Sequence, residues 1–128
     1  MEALGAHGIT PVTAEPPVAA DRHAQGVAAA HALLADHPDT DAIFAASDML
    51  ALGVLQGLKE AGRRVPGDVA LIGFDGIRAG GLADPALTTL EPDLDAAGEA
   101  LVAMALEDES HGRSGTRIPV RLVARGTA

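Results

Sequence analysis

The sequence contains no cysteine, tryptophan or tyrosine, and its only aromatic residues are Phe44 and Phe74. The absence of cysteine excludes disulfides, thiolate metal sites and thiol catalysis. The absence of Trp and Tyr removes most of the stacking surfaces that proteins use for sugar rings and single-stranded nucleic acid. Any ring stacking by this chain therefore falls to Phe74. The core must be built from Ala, Val, Leu and Ile.

Basic residues are also scarce, with 9 Lys and Arg against 18 Asp and Glu, which gives a formal net charge of −9. Such a balance disfavours phosphate and nucleic-acid binding by this chain. There is no leader-like segment at the start, and no run approaches the ~18 apolar residues of a membrane span. We expect a cytoplasmic protein with no membrane segment, no metal and no cofactor. A length of 128 residues suits a single domain.

Three short, continuously apolar runs predict strands: Gly8–Thr13, Asp41–Ala46 and Val69–Phe74. Continuous rather than alternating hydrophobicity is typical of strands that are buried on both faces, as in a parallel sheet. The intervening segments have helical periodicity, so the order is β-α-β-α-β. We therefore predict the α/β class with a doubly wound parallel sheet. Ligands of such sheets bind outside the carboxyl ends of the strands.

The first intervening helix is predicted over 21–36, ends at His37 and Pro38, and should turn one apolar side to the sheet: Val27, Ala30, Leu33 and Leu34. The second begins at Ser47 or Asp48 and ends at Gly62, which supplies a left-handed exit. Its predicted apolar side consists of Met49, Leu52, Leu55 and Leu58.

The last third of the chain has a different pattern. A short strand is predicted over Leu87–Leu90, and Asp93 can cap a helix from Leu94 to about residue 108. Ser110–Thr116 is a predicted loop, and Ile118–Val123 alternates as an edge strand does. The apolar side of the helix would contain Leu94, Ala97, Leu101, Ala105 and Leu106.

Two polar clusters follow predicted strands. Ser47 and Asp48 stand at a strand-to-helix junction, where a hydroxyl and a carboxylate can bind a hydroxyl-rich ligand; capping is the alternative for both and is favoured for Asp48. Asp75 follows Phe74, and a carboxylate beside a ring suits a sugar. The alternative for Asp75 is a turn aspartate before Gly76.

Catalytic and nucleotide sites find no support. None of the five histidines forms a recognisable pair with a nucleophile, and His23 and His31, two turns apart, lack a carboxylate at ligand spacing. The glycines between residues 73 and 81 match neither a dinucleotide fingerprint nor a phosphate loop. A phosphoacceptor domain would need an acidic pair after the first strand and a late lysine, and the sequence has neither. We therefore predict that the chain is not an enzyme.

Three ordered motifs resemble the LacI/GalR family of bacterial transcription regulators. They extend from Asp41 to Gly53 (DAIFAASDMLALG), from Arg64 to Gly76 (RVPGDVALIGFDG) and from Pro85 to Thr89 (PALTT). The resemblance covers about residues 8–126. It implies a periplasmic-binding-protein-like (type I) core of two lobes, with an effector, often a sugar, bound between them to change operator affinity.

The resemblance also implies how the chain is divided. Residues 1–93 and 117–125 would form the C-terminal lobe, and the helix within 94–110 would belong to the other lobe. The DNA-binding head and most of the N-terminal lobe would then be absent, so that operator DNA is reached only through the missing head. The apolar side around Leu101 would be uncovered, and we expect the chain to self-associate.

By the same resemblance, the effector-contacting positions are Ser47 and Asp75, with Phe74 at a usually aromatic position and Asp21 near a further cleft position. The family's cleft arginine has no counterpart here. Its dimers use the helix after the Ser-Asp motif and the loop before Leu-Thr-Thr, which here contribute Leu52, Leu55, Gln56, Leu82 and Ala83. A place in the core is the alternative for Leu52 and Leu55.

The leading hypothesis is the ligand-sensing and homodimer-forming part of a sugar-responsive regulator. The alternative is a sugar-binding protein of a transport system, which has the same fold. The lack of a leader and of a lipid-anchor cysteine favours the regulator. A sugar-processing enzyme would need a carboxylate pair or an activated nucleophile, and no motif supplies either.

Overall fold

The computed structural model describes residues 2–15, 19, 21–106 and 116–128. In chain order the described elements are α1 (Glu2–Gly5), α2 (Arg22–Asp36), β1 (Ala42–Phe44), α3 (Asp48–Glu60), β2 (Ala70–Phe74), α4 (Arg78–Gly81), β3 (Thr88–Pro92), α5 (Leu94–Leu106) and β4 (Val120–Val123). The strands form one sheet in the order β1-β2-β3-β4. The first three are parallel, and β4 is antiparallel to β3. The predicted α/β class and the edge strand are confirmed.

The prediction of a strand over Gly8–Thr13 is wrong. Within the described ranges this segment joins no sheet, and Ile9 and Val12 are exposed. The amide of Ile9 donates instead to the carbonyl of Leu4, at 3.0 Å. Pro11 has no N–H to give to a ladder. An apolar run of this length needs a neighbouring strand to become a strand itself, and no strand of the described sheet pairs with it.

Helix α2 packs chiefly against α3 rather than on the sheet, which corrects the predicted orientation of its apolar side. The contact is made by small residues: Gly26 faces Gly53, and Ala30 faces Gly57. A Cβ added at Gly53 would lie 2.0 Å from the carbonyl oxygen of His23. Because the facing residues advance in the same direction along both helices, from Gly26 and Gly53 to Ala30 and Gly57, the two helices run parallel and begin at the same end of the fold.

Helix α3 lies between α2 and the sheet. Its predicted apolar side is half right, because Leu55 and Leu58 are buried whereas Met49 is exposed and Leu52 is half-buried. The buried side is shifted because α3 must meet a helix and a sheet at once. Its buried apolar side chains form the core together with those of α2 and of the strands and loops beside it: Ala30, Ala45, Ala51, Val54, Leu55, Leu58, Val69, Leu71 and Leu87.

The opposite face of the sheet and helix α5 carry exposed apolar side chains. The strand register places Phe44 beside Ile72, Phe74 beside Leu90, and Leu90 beside Leu122, on the face that points away from α3. Phe44 is 61% exposed. No residue of α5 is buried among the described residues, and Leu101 and Leu106 are 67% and 82% exposed. The expectation of an uncovered apolar side on this helix is confirmed.

Two further predictions concern the start of α5 and its last residues. Asp93 caps it as predicted, because its Oδ1 accepts a hydrogen bond from the amide of Ala96 at 2.9 Å. The helix is described to Leu106, and the predicted residues 107 and 108 lie outside the described part, as do residues 110–115 of the predicted loop.

No helix of the described ranges is long and apolar enough to cross a membrane.

The last residues close the amino-terminal end of the parallel strands. Thr127 is fully buried, and its hydroxyl donates to the carbonyl of Leu71 at 2.7 Å and accepts from the amide of Thr88 at 2.8 Å. The Arg125 guanidinium donates to the carbonyl of Leu87 at 2.9 Å. The chain itself therefore covers the amino-terminal end of these strands.

Candidate functional site

Ser47 is the first candidate at the carboxyl end of the strands. It follows β1 and caps α3, with its Oγ accepting a hydrogen bond from the amide of Leu50 at 3.3 Å. The side chain is half-buried. A hydroxyl that accepts from an amide still has its own proton to donate. The capping role is therefore observed, and it is compatible with the effector contact that stays a prediction.

Asp21 lies at the same end of the molecule. It caps α2, because its Oδ1 accepts from the amide of Ala24 at 2.8 Å, and the residue is exposed. Since α2 and α3 are parallel, the start of α2 is brought toward Ser47 at the start of α3. Both caps lie at the positive ends of helix dipoles, which favour oxygen-rich groups.

Phe74 and Asp75 complete the set. Phe74 is the half-buried last residue of β2, and Asp75 is exposed with a φ of 115°, the one positive φ of a non-glycine residue within the described ranges. Such a conformation costs about 1–3 kcal/mol and occurs mostly where the surroundings enforce it, often at functional sites. The amide of Asp75 donates to the carbonyl of Leu90 at 3.0 Å.

The next residue fixes the turn from the other side. Gly76 has a φ of 72°, and a Cβ there would lie 2.6 Å from Cγ of Glu91. Glu91 in turn forms an ion pair with Arg121 of β4. The strained Asp75 is thus held between β2 and a braced part of β3.

Asp48 does not cap α3, which corrects the favoured sequence interpretation. It lies in the first turn, fully buried, and its Oδ1 accepts from Oγ1 of Thr89 at 2.6 Å. Its Oδ2 accepts from the amide of Ile77 at 2.8 Å. These partners are 41 and 29 residues away. No local pattern could reveal them.

The chemistry of the site suits a neutral, hydroxyl-rich ligand. The exposed carboxylates of Asp21 and Asp75 can accept hydrogen bonds from hydroxyl groups and repel anions. The hydroxyl of Ser47 can donate a hydrogen bond, and Phe74 offers an apolar ring.

The predicted dimer residues meet at a second place. A shallow groove of about 460 Å³ is lined by Leu52, Leu55, Gln56, Leu82 and Ala83, together with His23, Lys59, Ala79 and Asp84. Leu82 is 78% exposed, and Gln56 is exposed. Leu55 is only 4% exposed and forms part of the core, so the alternative given for it holds.

Sequence reasoning missed the long-range polar contacts of the site and of the strand ends. The partnership of Asp48 with Thr89, the pair of Glu91 with Arg121, and the burial of Thr127 all join residues far apart in the chain. The one available signal was an acidic residue at a strand end followed later by a pair of threonines, which is too common to interpret alone.

The whole chain, residues 1–128, matches the family model for a periplasmic binding protein-like domain. The ribose operon repressor of Halalkalibacterium halodurans is 39% identical over 99 residues, which are 75% of this chain and 30% of that protein. The HTH-type transcriptional regulator CelR of Thermobifida fusca is 43% identical over 98 residues, 77% of this chain and 28% of that protein. The chain thus spans less than a third of the length of these relatives.

Solved structures give the same result. The complex of the transcriptional regulator CelR with cellobiose superposes with a TM-score of 0.81 at 29% identity, covering 99% of this chain and 40% of that one. A LacI family regulator from Arthrobacter sp. FB24 in complex with lactose has a TM-score of 0.67 at 40% identity, covering 82% and 41%. The chain therefore belongs to the periplasmic binding protein-like domain family, in the form that LacI-family transcriptional regulators carry.

Proposed function

We propose that this chain is part of the effector sensor of a LacI-type transcriptional regulator and that its effector is a carbohydrate. The observation that carries the proposal is that Asp21 and Ser47 cap the parallel helices α2 and α3 while Phe74 and Asp75 stand at the end of β2, so that all four lie toward the carboxyl end of the parallel strands. Residues 1–93 and 117–125 would form one wall of a cleft between two lobes, and the helix from Leu94 would belong to the opposite lobe.

The relatives support the ligand class. CelR was solved with cellobiose and the Arthrobacter regulator with lactose, and a third relative regulates a ribose operon. All of these are regulators, which favours sensing over transport. In the whole regulator, which would act in the cytoplasm, effector binding in the cleft would change the affinity of a separate head for operator DNA.

The test is an NMR titration of the ¹⁵N-labelled chain with cellobiose, lactose and ribose at tens of millimolar, where weak binding by one wall of a cleft is still measurable. We expect one sugar to shift amides near Asp21, Ser47 and Phe74–Gly76. Asp75→Ala should weaken this binding roughly tenfold or more, because a charge-assisted hydrogen bond contributes about 1.5–3 kcal/mol. Asp39→Ala, which removes an exposed carboxylate from the turn after α2, should have no effect.

The outcome that contradicts the proposal is equally specific. If no sugar shifts these amides, or if the shifts are scattered over the surface and unchanged in Asp75→Ala, the carboxyl end of the strands does not bind carbohydrate. A shift pattern centred on the groove at Leu82 would assign the ligand to that groove instead.

We propose further that the groove lined by Leu52, Gln56, Leu82 and Ala83 is a homodimer contact. The groove combines Leu82, which is 78% exposed, with polar neighbours. Protein interfaces likewise combine an apolar core with a polar rim. Sedimentation of a Leu101→Glu, Leu106→Glu variant removes the contribution of the apolar α5. In that background, addition of Leu82→Glu should convert dimer to monomer, whereas Ala35→Glu on α2 should not.

A further inference from the structure

Asp48 uses its two carboxylate oxygens to join two parts of the chain. Oδ1 accepts from the hydroxyl of Thr89 on β3, and Oδ2 accepts from the amide of Ile77 in the loop after β2. The side chain is fully buried. Gly73 of β2 leaves the room for it, because a Cβ at that position would lie 2.2 Å from Oδ1. The carboxylate is thus seated on β2, tied to β3 and bonded to the loop between them.

Asp48 itself and one of its two partners, Ile77, lie next to candidate ligand contacts. Asp48 directly follows Ser47, and Ile77 lies two residues after Asp75. The loop after β2 adopts positive φ angles at Asp75 and Gly76, which are unfavourable for Asp75. We therefore expect its shape to depend on contacts with other parts of the chain. One buried side chain therefore connects the segment that carries Ser47 to the loop that carries Asp75.

We infer that Asp48 is the positioning residue of the effector site: with Thr89 and Ile77 as its partners, it holds the Ser47 and Asp75 contacts at the spacing that a carbohydrate requires. The inference rests on the proposed function for its ligand. Its geometric part, that Asp48 and Thr89 fix the loop at Ile77, stands on the hydrogen bonds alone.

The two hydrogen bonds differ in what they tolerate. The amide of Ile77 can only donate, so Oδ2 must remain an acceptor. The hydroxyl of Thr89 can donate or accept, and Leu90 offers its carbonyl 3.4 Å away as another acceptor for the Thr89 proton. An Asn at position 48 can therefore accept from Ile77 and donate to Thr89. If geometry and not negative charge is what matters, Asp48→Asn keeps the site and Thr89→Val damages it.

Thr127 supplies a matched control. It is fully buried like Thr89, and its hydroxyl bonds β2 and β3, but it lies at the amino-terminal end of the strands, away from the site. Thr127→Val and Thr89→Val each remove one buried hydroxyl and should lower the unfolding midpoint alike. Only Thr89→Val should disturb the carboxyl end.

The experiment compares the unmodified chain with Asp48→Asn, Thr89→Val and Thr127→Val. The temperature is chosen so that the NMR spectrum of each variant is that of a folded protein. Two quantities are measured: amide hydrogen exchange at Ile77, and affinity for whichever of cellobiose, lactose or ribose binds the unmodified chain. Thr89→Val should speed exchange at Ile77 and weaken sugar binding, each on the order of tenfold, since one buried hydrogen bond is lost. Asp48→Asn should change both by less than about threefold, and Thr127→Val should change neither.

The inference is overturned if Thr89→Val and Thr127→Val affect Ile77 exchange and sugar affinity equally, because the effect is then general destabilisation. It is also overturned if Asp48→Asn is as damaging as Thr89→Val, because charge is then the requirement. If the unmodified chain binds no sugar, the proposed function fails by itself, and the exchange at Ile77 still decides whether Asp48 and Thr89 fix the loop.

Discussion

Gly26 of α2 lies against Gly53 of α3, so closely that a Cβ on Gly26 would be 2.9 Å from the Cα of Gly53. This contact fixes α2 parallel to α3 and brings the caps Asp21 and Ser47 to the same end of the fold. A helix contact inside the domain thus determines where two of the candidate ligand residues stand.

Gly53→Ala should destabilise the fold although alanine favours helices. The added methyl would meet the carbonyl of His23 at 2.0 Å and force α2 away from α3, which costs roughly 1–3 kcal/mol. The control is Gly98→Ala in α5, where no atom of the described neighbouring residues lies within 4 Å and where the free energy of unfolding should rise by about 0.5–1 kcal/mol from helix propensity. Urea unfolding measures both, and an equal effect of the two substitutions would refute the close contact.

Asp75→Gly should stabilise the chain while it removes sugar binding. Glycine adopts the positive φ without the strain of about 1–3 kcal/mol, and the gain exceeds its added entropy cost of about 0.5–1 kcal/mol. We expect a net rise of about 1 kcal/mol in the free energy of unfolding. Asp39→Gly, at an exposed turn residue without a positive φ, should not stabilise. A loss of stability in Asp75→Gly would show that the strain is absent.

The pair of Arg64 and Asp68 should make stability depend on acid pH. Hydrogen bonds from the Arg64 side chain, and then from its amide, hold the pKa of Asp68 well below its usual range. A lowered folded-state pKa gives stability that is fully present above the unfolded value of about 3.9 and is lost as the pH falls toward the folded value. The free energy of unfolding of Asp68→Asn should therefore change less than that of the unmodified chain below about pH 4.

Urea unfolding over a pH series measures this difference, which should be small because the pair is near the surface. Arg64→Gln should flatten the profile in the same way, and the double variant should add nothing further. If the carboxyl carbon of Asp68 titrates in NMR at its ordinary value, the prediction is wrong.

The exposed apolar side of α5 should drive association beyond a dimer. Replacing both Leu101 and Leu106 by Glu adds two charges to a helix that has no buried residue, and sedimentation should then show smaller species. Substituting Glu for the exposed Ala32 and Ala35 of α2 adds the same charge elsewhere and should leave the larger species in place. A single monomeric boundary for the unmodified chain at high dilution would contradict the prediction.

Much of the fold could be predicted from local pattern. The helix over 21–36, the caps at Ser47 and Asp93, and the strand before Asp75 all follow from signals within a few residues. The segment over 8–13 could not be judged in this way, because an apolar run becomes a strand only when another strand offers its hydrogen bonds. For the site, the motifs indicated which residues to examine, and whether they bind a sugar remains the prediction that the titration tests.

By itself the sequence determined the α/β class, the elements around the candidate site and the resemblance that led to the family, because periodicity, caps and ordered motifs are properties of neighbouring residues. Only the tertiary structure decided that Asp48 is a buried link to Thr89 and Ile77 and not a cap, that Leu55 belongs to the core, and that Asp75 is held in a strained conformation. These properties depend on which distant groups are brought into contact. Hydrogen-bond partners and burial are set by packing, and packing is not encoded at any one position.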